Sequence, residues 1–127
     1  MPNVGDVLAA VTTNVIGKDS ALKHHLCVCN QTHQYLYICS RQYTDDFPLD
    51  LEDCPGLELE TSYVSLSRVL FCPTFRSPTL TCHVSPAYLK SLFDHVTTSK
   101  VMSPRDKTKV IVGLAPHLPK PPPTKVW

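Results

Sequence analysis

The amino-acid sequence predicts a mainly β fold: a small barrel or strongly curled sheet of antiparallel strands with a C-terminal amphipathic helix. Three observations lead there. Two short apolar runs, His25-Leu-Cys-Val-Cys29 and Tyr35-Leu-Tyr-Ile-Cys39, flank the polar stretch Asn30-Gln-Thr-His-Gln34, the pattern of a hairpin with a loop of about five residues. Strand side chains alternate, so Tyr35, Tyr37 and Cys39 share one side while Leu36 and Ile38 share the other. Neither side is polar, and the hairpin therefore has to be covered on both. Ser85-Pro86, a cap followed by proline in the first turn, precedes Tyr88, Leu89, Leu92, Phe93 and Val96 at helical spacing.

Gly5-Asp6 is a turn opening a first strand, Gly5 to Val11, and Thr12 to Leu22 reads as a long exposed loop of the kind that carries binding on small barrels. The central hairpin follows. Arg41 to Asp53 is acidic and turn-rich and reads as solvated loop, because Asp45, Asp46, Asp50, Glu52 and Asp53 lack the spacing of a calcium loop. Leu57 and Leu59 alternate with Glu58 and Glu60, a strand with one wet face. Thr61 to Cys72 reads as one longer strand, bending where its pattern turns continuously apolar near Val69. Pro73 and Pro78 bracket a loop with Arg76, and Leu80 to Val84 is a short last strand. The helix runs from Pro86 to about Thr98. Ser103-Pro104 repeats its start signal, so Arg105 to Leu114 reads as a second helix, although Val110-Ile111-Val112 pulls toward strand. Residues 1–115 make one domain, and 116–127 form an extended proline-rich tail ending at Trp127.

A chain of 127 residues can bury a core without staples, and its net charge of +1 means that any nucleic-acid binding needs a local basic patch. Without a leader-like start or an apolar run near spanning length, the expectation is a soluble cytoplasmic protein with no membrane contact. Its six cysteines, Cys27, Cys29, Cys39, Cys54, Cys72 and Cys82, contain no Cys-x-x-Cys. They read as small core hydrophobes in preference to disulfides or metal ligands. His33, His83 and His95 lie on unrelated segments, so neither a metal nor a cofactor is expected.

Three landmarks stand in a fixed order: Gly5-Asp6-Val7; Lys23-His-His-Leu-Cys-Val-Cys-Asn30 with Tyr37-Ile-Cys-Ser-Arg-Gln42; and Gly56-Leu-Glu-Leu-Glu-Thr-Ser-Tyr-Val-Ser-Leu-Ser-Arg-Val69. Together with the terminal helix, this order resembles the PemK/MazF family of toxins from bacterial toxin-antitoxin modules, over roughly Gly5 to Val112. The resemblance implies an SH3-like barrel, a two-fold homodimer, and metal-independent cleavage of single-stranded RNA. It also implies an antitoxin partner whose flexible tail occupies the RNA groove. In that chemistry the 2′-hydroxyl attacks the neighbouring phosphate, which requires a base, an acid and a stabiliser of the oxyanion. By pattern His24 stands where the family has an arginine at the head of the second strand, and Ser40 where it has a threonine or serine ending the third. Histidine works as acid or base near neutral pH, a role arginine fills poorly. Some members instead use an arginine and an aspartate in the strand matching Val64 to Arg68; here that strand offers Ser65 and Ser67, with only Arg68 charged.

His24 and Ser40 are thus the catalytic candidates, expected to meet at the open end of the hairpin. Only one of the adjacent pair His24-His25 can face a groove. Lys18, Lys23, Arg41, Arg68 and Arg76 are candidates for tracking phosphates, and Tyr43 and Tyr63 for stacking on unpaired bases. Two other readings stand beside the nuclease. One is the same barrel without chemistry, serving as a protein-recognition or regulatory module; the other is a small redox or metal protein built on the cysteines.

Overall fold

The strands are β1 (Asp6–Val11), β2 (Leu22–Cys29), β3 (Gln34–Cys39), β4 (Phe47–Asp50), β5 (Thr61–Val64), β6 (Leu70–Phe71) and β7 (Arg76–His83). In this computed structural model they form one antiparallel sheet in the order β4-β5-β3-β2-β1-β7, with β6 also pairing β3. The structure describes residues 2–11, 22–57, 61–73 and 75–119, apart from the side chains of residues 11, 22, 76 and 77. The sheet curls into a half-barrel, and two helices, α1 (Pro86–Thr98) and α2 (Pro104–Leu114), follow it. The mainly β class with helix appended is therefore what the chain adopts.

The β2–β3 hairpin sits in the middle, with Leu26 opposite Leu36 and Cys27 opposite Tyr35. Its loop is residues 30–33, closed by His33 in the left-handed region at φ 56°. Leu26 and Leu36 are buried on one face and His25, Cys27 and Tyr35 on the other. Phe47 belongs to the first face through the row Phe47–Val64–Ile38–His24–Ala9. Its ring lies 5.5 Å from Tyr88 and 5.0 Å from His95, so α1 covers that face. The opposite face is covered by Phe75, with ring centroids 4.9 Å from His25 and 4.6 Å from Tyr35.

Several elements depart from expectation. The strand expected over residues 61–72 is broken, because Asp46 draws the chain out of the ladder. The Leu66 amide donates to Asp46 Oδ1 at 3.1 Å, directly after the Ser65 amide has donated to the Tyr37 carbonyl at 2.8 Å. Asp46 Oδ2 accepts from the Tyr43 amide at 3.0 Å, so the acidic stretch read as solvated loop contains a buried anchor and a strand, β4. β7 begins at Arg76 and runs through the expected loop; Pro78 is tolerated because β7 ends the sheet and needs no donor on its outer side. Of the strand expected over residues 56–60, positions 58–60 lie outside the described residues, as does the tail beyond residue 119.

Both helix starts behave as the sequence suggests. The Ser85 hydroxyl accepts from the Tyr88 amide at 3.1 Å, and the Ser103 hydroxyl from the Asp106 amide at 3.2 Å. Capping and proline at the first turn outweigh Val110-Ile111-Val112, and α2 is helical throughout.

The cysteine reading needs correction. Cys54, in the turn after β4, and Cys82, on β7, form a disulfide with Cα atoms 5.6 Å apart. Sequence spacing could not reveal it, since the partners are 28 positions apart and meet only when the sheet curls. Closing such a loop restricts the unfolded chain by about 3.5 kcal/mol on the chain-entropy account. No ladder joins β4 to β7 among the described residues. The gap is spanned instead by this bond, by Gly56 at φ +107° lying against Thr81, and by the Tyr88 hydroxyl donating to the Pro48 carbonyl at 2.8 Å.

Gly113 lets α2 sit on β2: a Cβ there would collide with the Val28 carbonyl oxygen and come within 2.7 Å of Cys29 Cβ. Gly113→Ala is expected to push the helix off the hairpin and cost about 2 kcal/mol, read as a lowered urea midpoint.

Candidate functional site

The antiparallel register brings His24, Ser40, Lys23 and Arg41 to one end of the sheet. His24 pairs with Ala9 and Ile38; one step outward Lys23 pairs with Ala10, and Cys39 with Tyr63. One step further, Leu22 pairs with Val11, which in turn pairs with Arg76. Ser40 is the residue immediately after β3, so continuing the register sets it two positions from the His24 row, a diagonal of about 7–8 Å. His24 and Ser40 thus share the open end of the hairpin, although no hydrogen bond joins them. His24 is half-buried and Ser40 exposed.

Alternation puts Lys23 on the other face from His24. The Lys23 ammonium stands 5.5 Å from the centroid of the Tyr37 ring, a cation–π contact at the rim. Arg41 is exposed directly after Ser40, and Tyr43 is 64% exposed close behind it. Tyr63 is half-buried opposite Cys39. Arg68 is exposed on the link between β5 and β6, past the point where Ser65 bonds Tyr37 and therefore further toward the hairpin loop. Arg76 enters the end row through its backbone, and Lys18 lies outside the described residues.

Comparisons with protein-family models, with curated proteins and with solved structures find no match to this chain. The resemblance to PemK/MazF toxins therefore rests on the residues alone. Among the described residues no group of histidine, cysteine, aspartate and glutamate side chains is arranged to hold a metal ion.

Of the histidine pair, His25 is the one withdrawn from solvent. It is fully buried between Tyr37, 5.2 Å away, and Phe75, and among the described residues neither ring nitrogen has a hydrogen-bond partner. Burial pushes its pKa down to about 4; the nearby Leu8 backbone opposes that shift, and the charges of His24 and Lys23 add to it. An aromatic ladder thus runs inward from the rim: Lys23, Tyr37, His25, Phe75, Tyr35.

A second polar row lies nearer the hairpin loop, His83–Asp6 on the sheet edge and Cys27–Tyr35 inside. His83 Nδ1 donates to Asp6 Oδ1 at 2.7 Å, and Asp6 Oδ2 accepts from the Asn3 amide at 2.9 Å. Burial, helped by the Asp6 carboxylate, pushes the Cys27 thiol up to about 12, so it is inert at neutral pH. This hydrogen bond between residues 77 positions apart had no signal in the sequence. The Tyr37 contact was available only as alternation, once the strand had been recognised.

His25 has a testable consequence. Its folded pKa lies below that of the unfolded chain, so the unfolded state takes up the proton first as pH falls. Stability is fully present above pH 6.5, falls as pH drops toward 4, and this contribution is exhausted below that, amounting to roughly 3 kcal/mol. His25→Leu is expected to remove that part of the slope, measured by urea unfolding of both proteins at pH 7, 5.5 and 4.

Proposed function

We propose that the open end of the hairpin binds single-stranded RNA in the manner of a PemK/MazF-type toxin, with His24 and Ser40 cleaving the strand without a metal. The observation that carries this reading is the register: His24, Ser40, Lys23 and Arg41 come to one exposed sheet end although their positions are up to 18 apart in the chain. Lys23 and Arg41 supply positive charge for phosphates, and Tyr43 offers an exposed ring for an unpaired base. His24 takes the proton from the 2′-hydroxyl as it attacks phosphorus, and the Ser40 hydroxyl donates to a phosphoryl oxygen as charge builds there. The 5′-oxygen leaves with a proton taken from solvent water, and a 2′,3′-cyclic phosphate remains on the other fragment. The same reading expects a homodimer and a protein inhibitor whose flexible tail enters the mouth.

A second reading has its own support. His24 is half-buried on the face that α1 covers, whereas Lys23 points to the other face, which favours a recognition module without chemistry.

Labelled single-stranded RNA incubated in chelator decides between them. For the nuclease, RNA is cut, His24→Ala slows cutting about 100-fold or more while binding persists, and Lys23→Ala and Arg41→Ala each weaken binding and lower the salt slope by about 0.7. Intact RNA that is nonetheless bound points to the module, and absence of binding at low salt sinks the nucleic-acid reading altogether.

A further inference from the structure

We propose that the Cys54–Cys82 disulfide is a redox latch: a thiol reductant opens it, and residues 51–57 then come off the open side of the half-barrel while the sheet stays paired. This does not depend on the RNA reading. The disulfide stands where the fold has no ladder, between the turn that follows terminal strand β4 and the opposite terminal strand β7.

The turn is bonded chiefly to itself. Its backbone hydrogen bonds run from the Asp53 and Cys54 amides to the Asp50 carbonyl, both at 3.0 Å, and from the Leu57 amide to the Cys54 carbonyl at 3.5 Å. The bridge between Pro55 and Leu57 is likewise internal. No backbone hydrogen bond among the described residues joins the turn to β7; the disulfide, the contact of Gly56 with Thr81, the buried Leu57 side chain and the partly buried Leu51 keep it seated. By contrast β7 is held to β1 by its own register from Asp6↔His83 to Val11↔Arg76, and the β1–β2–β3 ladder contains no disulfide. Opening the bond therefore frees the turn without removing any strand pair.

A reductant thiolate attacks the sulfur of half-buried Cys82; the S–S bond breaks, and Cys54 departs as a thiolate that takes up a proton. A second reductant thiol attacks the mixed disulfide and releases the Cys82 thiol, so two R–SH become R–S–S–R and the protein gains two thiols. Among the free thiols, burial pushes Cys27 up to about 12 and raises Cys39 as well, which keeps these two protonated and out of the exchange. In an oxidising compartment the latch is shut, and in a reducing one it is open.

The full chain is equilibrated with oxidised glutathione and then with excess dithiol. Alkylation after unfolding is expected to label four of six cysteines in the first state and all six in the second. Hydrogen exchange of the folded protein is expected to quicken about tenfold or more in peptides covering residues 51–57 on reduction, with β1–β3 peptides nearly unchanged. The double variant Cys54→Ser/Cys82→Ser should exchange quickly there in both buffers. Six labelled cysteines in the oxidised state, a turn indifferent to reductant, or loss of protection across the whole sheet would each overturn the latch.

Discussion

A hairpin with apolar side chains on both faces can exist only if each face is covered, and most of this architecture follows from that requirement. Leu26 and Leu36 need a layer on one side, and His25, Cys27 and Tyr35 need one on the other. The chain meets the first need with α1, whose rings pack on Phe47, and the second with Phe75, placed where the chain turns back into β7. Burial at roughly 25 cal/mol per Å² of apolar surface is what makes this two-sided wrapping worth the ordering of so much chain. His25 carries the main polar cost, an imidazole held neutral and, among the described residues, without a hydrogen-bond partner because its place in the alternation lies inside.

Wrapping a short sheet on both sides forces it to curl, and the curl raises a second problem: its terminal strands approach without pairing. A ladder would have removed both edges. Here the first turn of α1 bonds back to Pro48, and the turn after β4 is tied to β7 through sulfur. Closure by a side-chain bond is reversible under conditions that leave backbone pairing intact, which sets this side of the molecule apart from the hairpin side in its response to environment.

The exposed end of the hairpin inherits its character from the same geometry. Antiparallel strands return to their starting level, so polar residues before one apolar run and after the next are obliged to share an end. Lys23, His24, Ser40 and Arg41 converge for that reason. The pleat then divides them, with His24 on the helix side and Lys23 on the Tyr37 side, so a ligand engaging both has to wrap the rim of the sheet.

Local physics was legible in the chain itself. Alternation marked β2 and β3, serine-proline caps marked both helices, and the two polar flanks marked the candidate site, because each signal lies within a few residues of the structure it produces. Asp46 and Cys54 are the contrary cases. A carboxylate in an acidic stretch reads as solvated until the Leu66 amide, 20 positions away, is brought against it, and that bond splits the strand expected beyond Val64. Cys54 reads as a small hydrophobe until curling sets Cys82 beside it. The sequence by itself determined the central β2–β3 hairpin, both helices and which residues end at the hairpin's mouth. Tertiary structure alone decided which cysteines pair, which acid is buried and which histidine is hidden, because those outcomes depend on distances between segments that local pattern does not encode.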